Sequence, residues 1–308
     1  MPRAWEQSHR FFLFKPRIHI DIIILILIPA CLKLTGMHTL EHILEKGSSP
    51  VNEDRLLICG NLFGVFDGAT SLADTAAHGL AKAPTGGALA ADIAQKTFSA
   101  NHYPLTCLAT EANTAISRRM AAQGIRPDRP DQVWSTSAAV VRLKNQGLEW
   151  FRTGDAQVLL VYTDGSYKAL GTLVDHDYPT LAMMKSQADN TLNNPALRRQ
   201  VLKVRKGMNK TYGVLNGDAQ ADRFFSSGLI PLDHVASVLL FTDGLTLPSQ
   251  TPTPRPDFTP LVRAYTCLGL SGLHKKIRDM ENTDKSRKKY PRFKCHDDIA
   301  AVAITLTP

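Results

Sequence analysis

Four acidic points in the chain stand at or beside long apolar runs. They are Asn52-Glu53-Asp54, Phe66-Asp67-Gly68, Phe241-Thr242-Asp243-Gly244 and His296-Asp297-Asp298-Ile299. A carboxylate beside a buried strand needs a reason, because an unpaired charge away from water is very costly. A cluster of oxygen donors without His or Cys ligands suits hard cations such as Mg²⁺ or Mn²⁺. The glycine after Asp67 and after Asp243 allows a tight backbone turn and can offer a carbonyl as a further ligand. Asp-Gly is also an ordinary turn. At Asp164-Gly165 it joins two short alternating segments and reads as a hairpin. The other two follow long apolar runs with no matching strand returning at once, so turn and ligand both stay open there.

The elements that must position these acids are legible as patterns. Residues 55–60 and 62–68 read as two strands broken at Gly60-Asn61. Residues 85–98 and 107–124 carry apolar residues at helical spacing, and the two helices are expected side by side. Residues 135–143, 148–153, 157–162 and 167–170 read as a meander, separated by Asn145-Gln146-Gly147, Gly154-Asp155 and Thr163-Asp164-Gly165. Residues 175–210 are polar and read as irregular or helical. A buried strand begins at Val235, a proline-rich loop covers 248–260, a helix covers 258–280, and a last buried strand covers 299–306. Strands, helices and strands again in one domain indicate an α+β architecture.

Composition narrows the class. The chain has 308 residues and a formal charge of +8, with 44% hydrophobic and 21% charged residues. Intrinsic disorder and a polytopic membrane protein are excluded. Five scattered cysteines, odd in number and without a CxxC pair, argue against a disulfide framework or zinc ribbon and fit a reducing compartment. Residues 275–294 hold nine Lys/Arg and three acids, a solvated face that could attract an acidic partner. Without aromatic interleaving it does not read as a nucleic-acid surface. The segment 1–36 is basic and aromatic, and its unbroken apolar run, Ile22 to Ile28, is too short to span a bilayer. It reads as upstream sequence before a start at Met37, as a weak anchor or signal, or as part of the fold. Residues 37–308 form the expected domain.

In their order and spacing, Asn52-Glu53-Asp54, Gly64 to Gly68, Thr153-Gly154-Asp155-Ala156, Leu240 to Gly244 and His296-Asp297-Asp298 resemble the metal-dependent PP2C-like, or PPM-type, protein phosphatases. The resemblance runs from about Gly47 to Leu306. It implies a four-layer α-β-β-α sandwich, with two antiparallel sheets face to face and helices outside each. It implies two Mg²⁺ or Mn²⁺ ions bridged by Asp67. The Gly68 carbonyl, Glu53 and Asp54 would serve one side, and Asp243 and Asp297 the other ion. Asp155 matches an acid that helps hold a weaker third metal in bacterial members. Asp67 and Asp243 would act in catalysis through metal-bound water, since two ions lower the pKa of a bridging water and the resulting hydroxide attacks phosphorus. No side-chain nucleophile is then needed, and Cys59, Cys107 and Cys267 are expected in the core.

The implied activity is hydrolysis of phosphoserine or phosphothreonine in a protein, by a monomer in the cytoplasm. Association with a membrane would come only through residues 1–36. Two positions depart from the family pattern. Ala69 stands where eukaryotic members have a His proposed as general acid, and Ser49 stands where a phosphate-binding Arg is usual, with Arg55 expected to point elsewhere. Asp298 replaces a frequent Asn. The alternative reading is a pseudophosphatase, a binding or regulatory module that keeps the fold without turnover. If residues 1–36 lie outside the fold, a chain beginning at Met37 should be soluble and melt at the same temperature as the full chain. Recovery of the full protein in a salt-resistant membrane pellet would instead mark an anchor.

Overall fold

The computed structural model describes residues 38–69, 84–173, 175–187 and 189–306. The readings placed on 1–36 lie outside these residues. Ten strands form two five-stranded antiparallel sheets. The first contains β1 (His38–Glu45), β10 (Ile299–Leu306), β9 (Val235–Phe241), β6 (Gln157–Tyr162) and β7 (Tyr167–Ala169), in that spatial order. The second contains β2 (Arg55–Cys59), β3 (Leu62–Ala69), β4 (Ser135–Lys144), β5 (Gly147–Thr153) and β8 (Ser226–Ile230). Five helices accompany them: α1 (Gly86–Ser99), α2 (Leu105–Ala122), α3 (Tyr178–Ser186), α4 (Pro195–Arg205) and α5 (Thr259–Asn282).

Period-two alternation sorts the strand residues into layers. Phe63, Val65, Val141, Val158, Leu160, Val238, Leu240, Ala300 and Val302 form one apolar cluster drawn from both sheets. Their neighbours turn the other way. Leu62, Phe66, Ala138 and Val140 pack with Ala90, Ala94, Phe98, Leu108 and Ile116 of α1 and α2. Leu159, Leu239, Phe241, Ile299 and Ala301 pack with Leu261, Leu273 and Ile277 of α5. Three apolar clusters between four layers make the α-β-β-α sandwich that the resemblance implies.

Several local features follow from the sequence. Thr85 caps α1 by accepting from the Ala88 N–H at 3.2 Å, satisfying one of the donors that a helix start leaves open. The buried face of α1 is made of Gly86, Gly87, Ala88, Ala90, Ala91 and Ala94, with Phe98 at its last turn, and the small residues let the start of the helix lie close to β3. Asp164-Gly165 is the expected hairpin turn: Gly165 has φ +83, and the Ser166 N–H donates to Asp164 Oδ1 at 2.8 Å.

The polar stretch 175–210, expected to be irregular or helical, contains the helices α3 and α4, which pack against each other. The structure departs from expectation in three places. The strands β1 and β8 were not anticipated. The long helix α5 is interrupted at Gly269, where φ is 70 and ψ is −179. Half-buried Cys59 packs against the cluster under α1 and α2, but Cys107 and Cys267 are exposed rather than core residues. Their helices turn other residues inward, such as Leu108 and Leu270. Among the described residues, no helix is long and apolar enough to cross a membrane.

A close backbone approach near the acidic residues lies at Gly68. A Cβ there would lie 2.5 Å from the carbonyl carbon and oxygen of Gly87, and 2.7 Å from the carbonyl oxygen of Glu53. Gly68→Ala should therefore cost about 1–3 kcal/mol and lower the melting temperature measured by calorimetry. An unchanged melting temperature would show that β3 and the start of α1 have room to separate.

Candidate metal centre

Alternation along β3 puts Asp67 on the same side as Phe63 and Val65, the face between the sheets. Asp54 ends the turn before β2, Asp243 follows β9, and Asp297 precedes β10. The sandwich therefore brings together acids from both sheets. Asp67 lies within the electrostatic reach of Asp243, Asp54, Asp155 and Asp297. Asp67 and Asp243 lie within hydrogen-bonding reach of each other.

Neutral donors fix most of these acids in place. Asp54 is buried, and its Oδ2 accepts from the Thr242 hydroxyl at 2.6 Å. Thr242 is itself tied to the β10 end, because the Ala300 N–H donates to its oxygen at 2.9 Å. Buried Glu53 accepts from the Thr85 hydroxyl, the same group that caps α1. Asp298 is buried, with Oδ1 accepting from the Gly47 N–H at 2.7 Å and Oδ2 from the Glu53 N–H at 3.0 Å. It thereby fastens the loop before β2 to the start of β10. Asp297 Oδ1 accepts from Lys294 Nζ at 2.8 Å and from the Asp298 N–H at 2.9 Å.

The charges are under strain. The carboxyls of Asp54, Asp67 and Asp243 are all held well above the ordinary carboxylate range. Burial is the largest cause in each case, and the neighbouring acids add to it. The Asp243 side chain keeps contact with solvent. For Asp54 the Thr242 bond works in the opposite direction, and for Asp243 the bond with Asp67 does.

Asp155 borders this cluster. Its Oδ1 accepts from the Ser137 hydroxyl at 2.5 Å, and Ser137 is the register partner of Asp67 across β3 and β4. The turn that presents Asp155 is held by fully buried Arg152, whose Nη2 donates to the Gly154 carbonyl at 2.8 Å. On its other side lie His176 and Asp177, which the sequence reading did not single out. Asp155, His176 and Asp177 offer ligand atoms within 4.8 Å of one another, a group that could hold a metal ion. The His176 ring stacks on Tyr212 at 3.9 Å between centroids. Burial opposes the charged form of His176, but Asp177, Asp155 and Asp175 outweigh it and raise its pKa. The signal for this group is the tripeptide Asp175-His176-Asp177, which stands in a stretch without periodicity.

Two further positions are now placed. Arg55 is turned away, as expected: its guanidinium donates to the carbonyls of Asn52 and Asp54 and lies 3.8 Å from Asp92 of α1. Ala69, the last residue of β3, is exposed and carries no group able to move a proton.

The fold is that of PP2C-like serine/threonine phosphatases. The PPM Ser-Thr phosphatase MsPP from Mycobacterium smegmatis, solved in complex with cacodylate, is 18% identical with a TM-score of 0.53, covering 87% of this chain and 98% of that one. The serine/threonine phosphatase Stp1 from Staphylococcus aureus is 13% identical at a TM-score of 0.51, covering 88% and 96%. The catalytic domain of the serine/threonine protein phosphatase PstP, in complex with two manganese ions, is 13% identical at a TM-score of 0.50, covering 88% and 98%. No family sequence model and no curated protein sequence matches the chain.

Raised carboxyl pKa values carry a stability signature. These acids bind protons more tightly in the folded than in the unfolded chain, so metal-free stability should fall as pH rises past the ordinary carboxylate value. In EDTA at about pH 8, Asp67→Asn should therefore melt above the wild type, and the gap should close as pH falls toward about 4. Mn²⁺ at about a hundred times its Kd should stabilise the wild type by about 2.7 kcal/mol and the variant much less. Calorimetry in both conditions reads this; a variant that melts below the wild type at every pH would contradict it.

Proposed function

We propose that this chain is a divalent-metal-dependent phosphoprotein phosphatase acting on phosphoserine or phosphothreonine as a monomer. The observation that supports this most is the convergence of Asp54, Asp67, Asp243 and Asp297 in a PP2C-like sandwich, where neighbouring acids help raise the carboxyl pKa of Asp54, Asp67 and Asp243. An all-oxygen donor set with unrelieved negative charge fits Mg²⁺ or Mn²⁺. Glu53, Asp54, Asp67, the Gly68 carbonyl, Asp243 and Asp297 would hold two ions, and Asp155 would help hold a third.

Bound there, the ions would supply an activated water at neutral pH and offset charge on the phosphoryl oxygens. The chain's own part is to orient and to hold. Thr242 fixes the Asp54 carboxylate, Asp298 fixes the loop that carries Glu53, and Ser137 fixes Asp155. The N–H of Asp298 and the ammonium of Lys294 occupy one oxygen of Asp297 and leave Oδ2 for an ion. With alanine at position 69, that position offers no proton to the leaving oxygen.

Hydrolysis of p-nitrophenyl phosphate and of a phosphothreonine peptide should require Mn²⁺ or Mg²⁺ and stop in EDTA. Asp67→Asn should lower kcat by about two orders of magnitude or more, because the ions supply several kcal/mol at about 1.4 kcal/mol per tenfold. Asp164→Asn should be nearly silent, as a hairpin residue distant from the acids. Full activity in EDTA, or equal losses in the two variants, would refute the metal-based reading. A Mn²⁺-loaded protein that turns over no phosphoester would leave the pseudophosphatase reading in its place.

A further inference from the structure

We propose that Lys294 is the residue that grips the substrate's phosphate dianion, supplying the cation that Ser49 does not. The inference rests on the phosphatase reading above and names a substrate-binding residue within it.

The first argument is position. The loop holding Ser49 is stitched to the segment holding Lys294, although they are far apart in sequence. The Ser48 N–H and hydroxyl both donate to the His296 carbonyl, at 2.8 and 2.9 Å. The Asp298 carboxylate takes the N–H groups of Gly47 and Glu53. Position 49 and Lys294 thus lie on two strips of chain laced together beside the acidic cluster. The Lys294 ammonium is 2.8 Å from Asp297 Oδ1, 3.9 Å from Asp298 Oδ2 and 4.0 Å from Glu53 Oε2.

The second argument is unspent hydrogen-bonding capacity. An ammonium carries three donors, and only the contact with Asp297 is at hydrogen-bond distance. Two N–H groups therefore remain for a ligand. The side chain is 25% exposed. The neighbouring guanidiniums are already committed. Arg278 donates to Glu45, Glu281 and the Asp297 carbonyl. Arg292 is taken up by Asp284 and by the carbonyls of Glu281, Asp284, Tyr290 and Cys295.

The third argument is charge. Glu53, Asp54, Asp67, Asp243, Asp297 and Asp298 present six carboxyls. Two divalent ions offset four negative charges, so an arriving dianion still meets a negative surface unless another cation is at hand. Lysine suits this role as a compact point charge on a flexible stem.

The test measures binding as well as turnover, on the full chain saturated with Mn²⁺. Calorimetric titration with inorganic phosphate, and kinetics with p-nitrophenyl phosphate, are run on wild type, Lys294→Gln, Lys294→Met and Lys294→Arg. The Gln and Met variants should raise the phosphate Kd and the KM by about tenfold, as loss of about 1.4 kcal/mol. The loss should fall on phosphate Kd and KM more than on kcat, and Lys294→Arg should recover most of the affinity. Two neutral variants keep the result readable if one of them misfolds, which its melting curve reveals. Unchanged phosphate affinity in a folded neutral variant overturns the proposal. If that variant also binds Mn²⁺ more tightly, Lys294 is a counter-ion to the carboxylates. A wild type that binds phosphate through Lys294 yet hydrolyses no ester retires the phosphatase reading and upholds this one. Normal turnover with phosphate affinity independent of Lys294 does the reverse.

Discussion

Mutual repulsion among the carboxylates of Asp54, Asp67, Asp243 and Asp297 is the constraint around which the molecule is organised. Charges of one sign crowded together oppose folding. They stay together only because something else holds the backbone that carries them. Three apolar clusters supply the bulk of that force, one between the sheets and one under each helical layer. Neutral hydrogen-bond donors supply the aim. The Thr242 hydroxyl is the sharpest case: it accepts from Ala300, donates to Asp54, and so joins the end of one sheet to the entrance of the other. A hydroxyl can hold a carboxylate without neutralising it, which leaves the negative charge available to a cation.

The same economy appears in how the backbone is brought close. Small residues line the buried face of α1, and Gly68 faces Gly87 across a gap with no room for a Cβ. This approach puts the start of α1, with its Thr85 cap, next to Glu53. One hydroxyl thereby serves a helix terminus and a site carboxylate together. Asp298 plays the corresponding part at the other end, spending both oxygens on backbone N–H groups of the loop 47–53. An acid so engaged is a fastener, and its neighbour Asp297 is left as the acid with an unoccupied oxygen.

How much of this was legible in the sequence depended on range. The strands that frame the site were legible because their apolar runs are long and end abruptly at an acid, as at Phe66-Asp67 and Phe241-Thr242-Asp243. The sandwich followed from the ordered resemblance of five such points. The strand β1 was missed because it lies at a sheet edge and half of its residues, such as Thr39, Glu41 and His42, face solvent, which blurs the alternation. The strand β8 is short and mostly exposed. His176 and Asp177 were hidden because no periodicity frames them, and their meeting with Asp155 depends on the turn that Arg152 holds. The cysteines misled in the other direction: composition favours them in cores, but helix phase turned Cys107 and Cys267 outward.

Lys294 shows the deepest limit of a linear reading. In the sequence it is one of nine basic residues between 275 and 294, and such a run reads as a solvated surface. Its neighbours Lys275 and Lys285 fit that description. Lys294 differs only because Ser48 and His296 pair across 248 positions and draw the end of the run against the acids. A family resemblance compares residues at matching positions, so a cation missing at Ser49 counts as a loss. Electrostatics compares positions in space, where a charge arriving from another segment does the same work at the same distance. The absence of an Arg at position 49 is therefore weak evidence against turnover, and the carboxylate set is the stronger guide to what this site does.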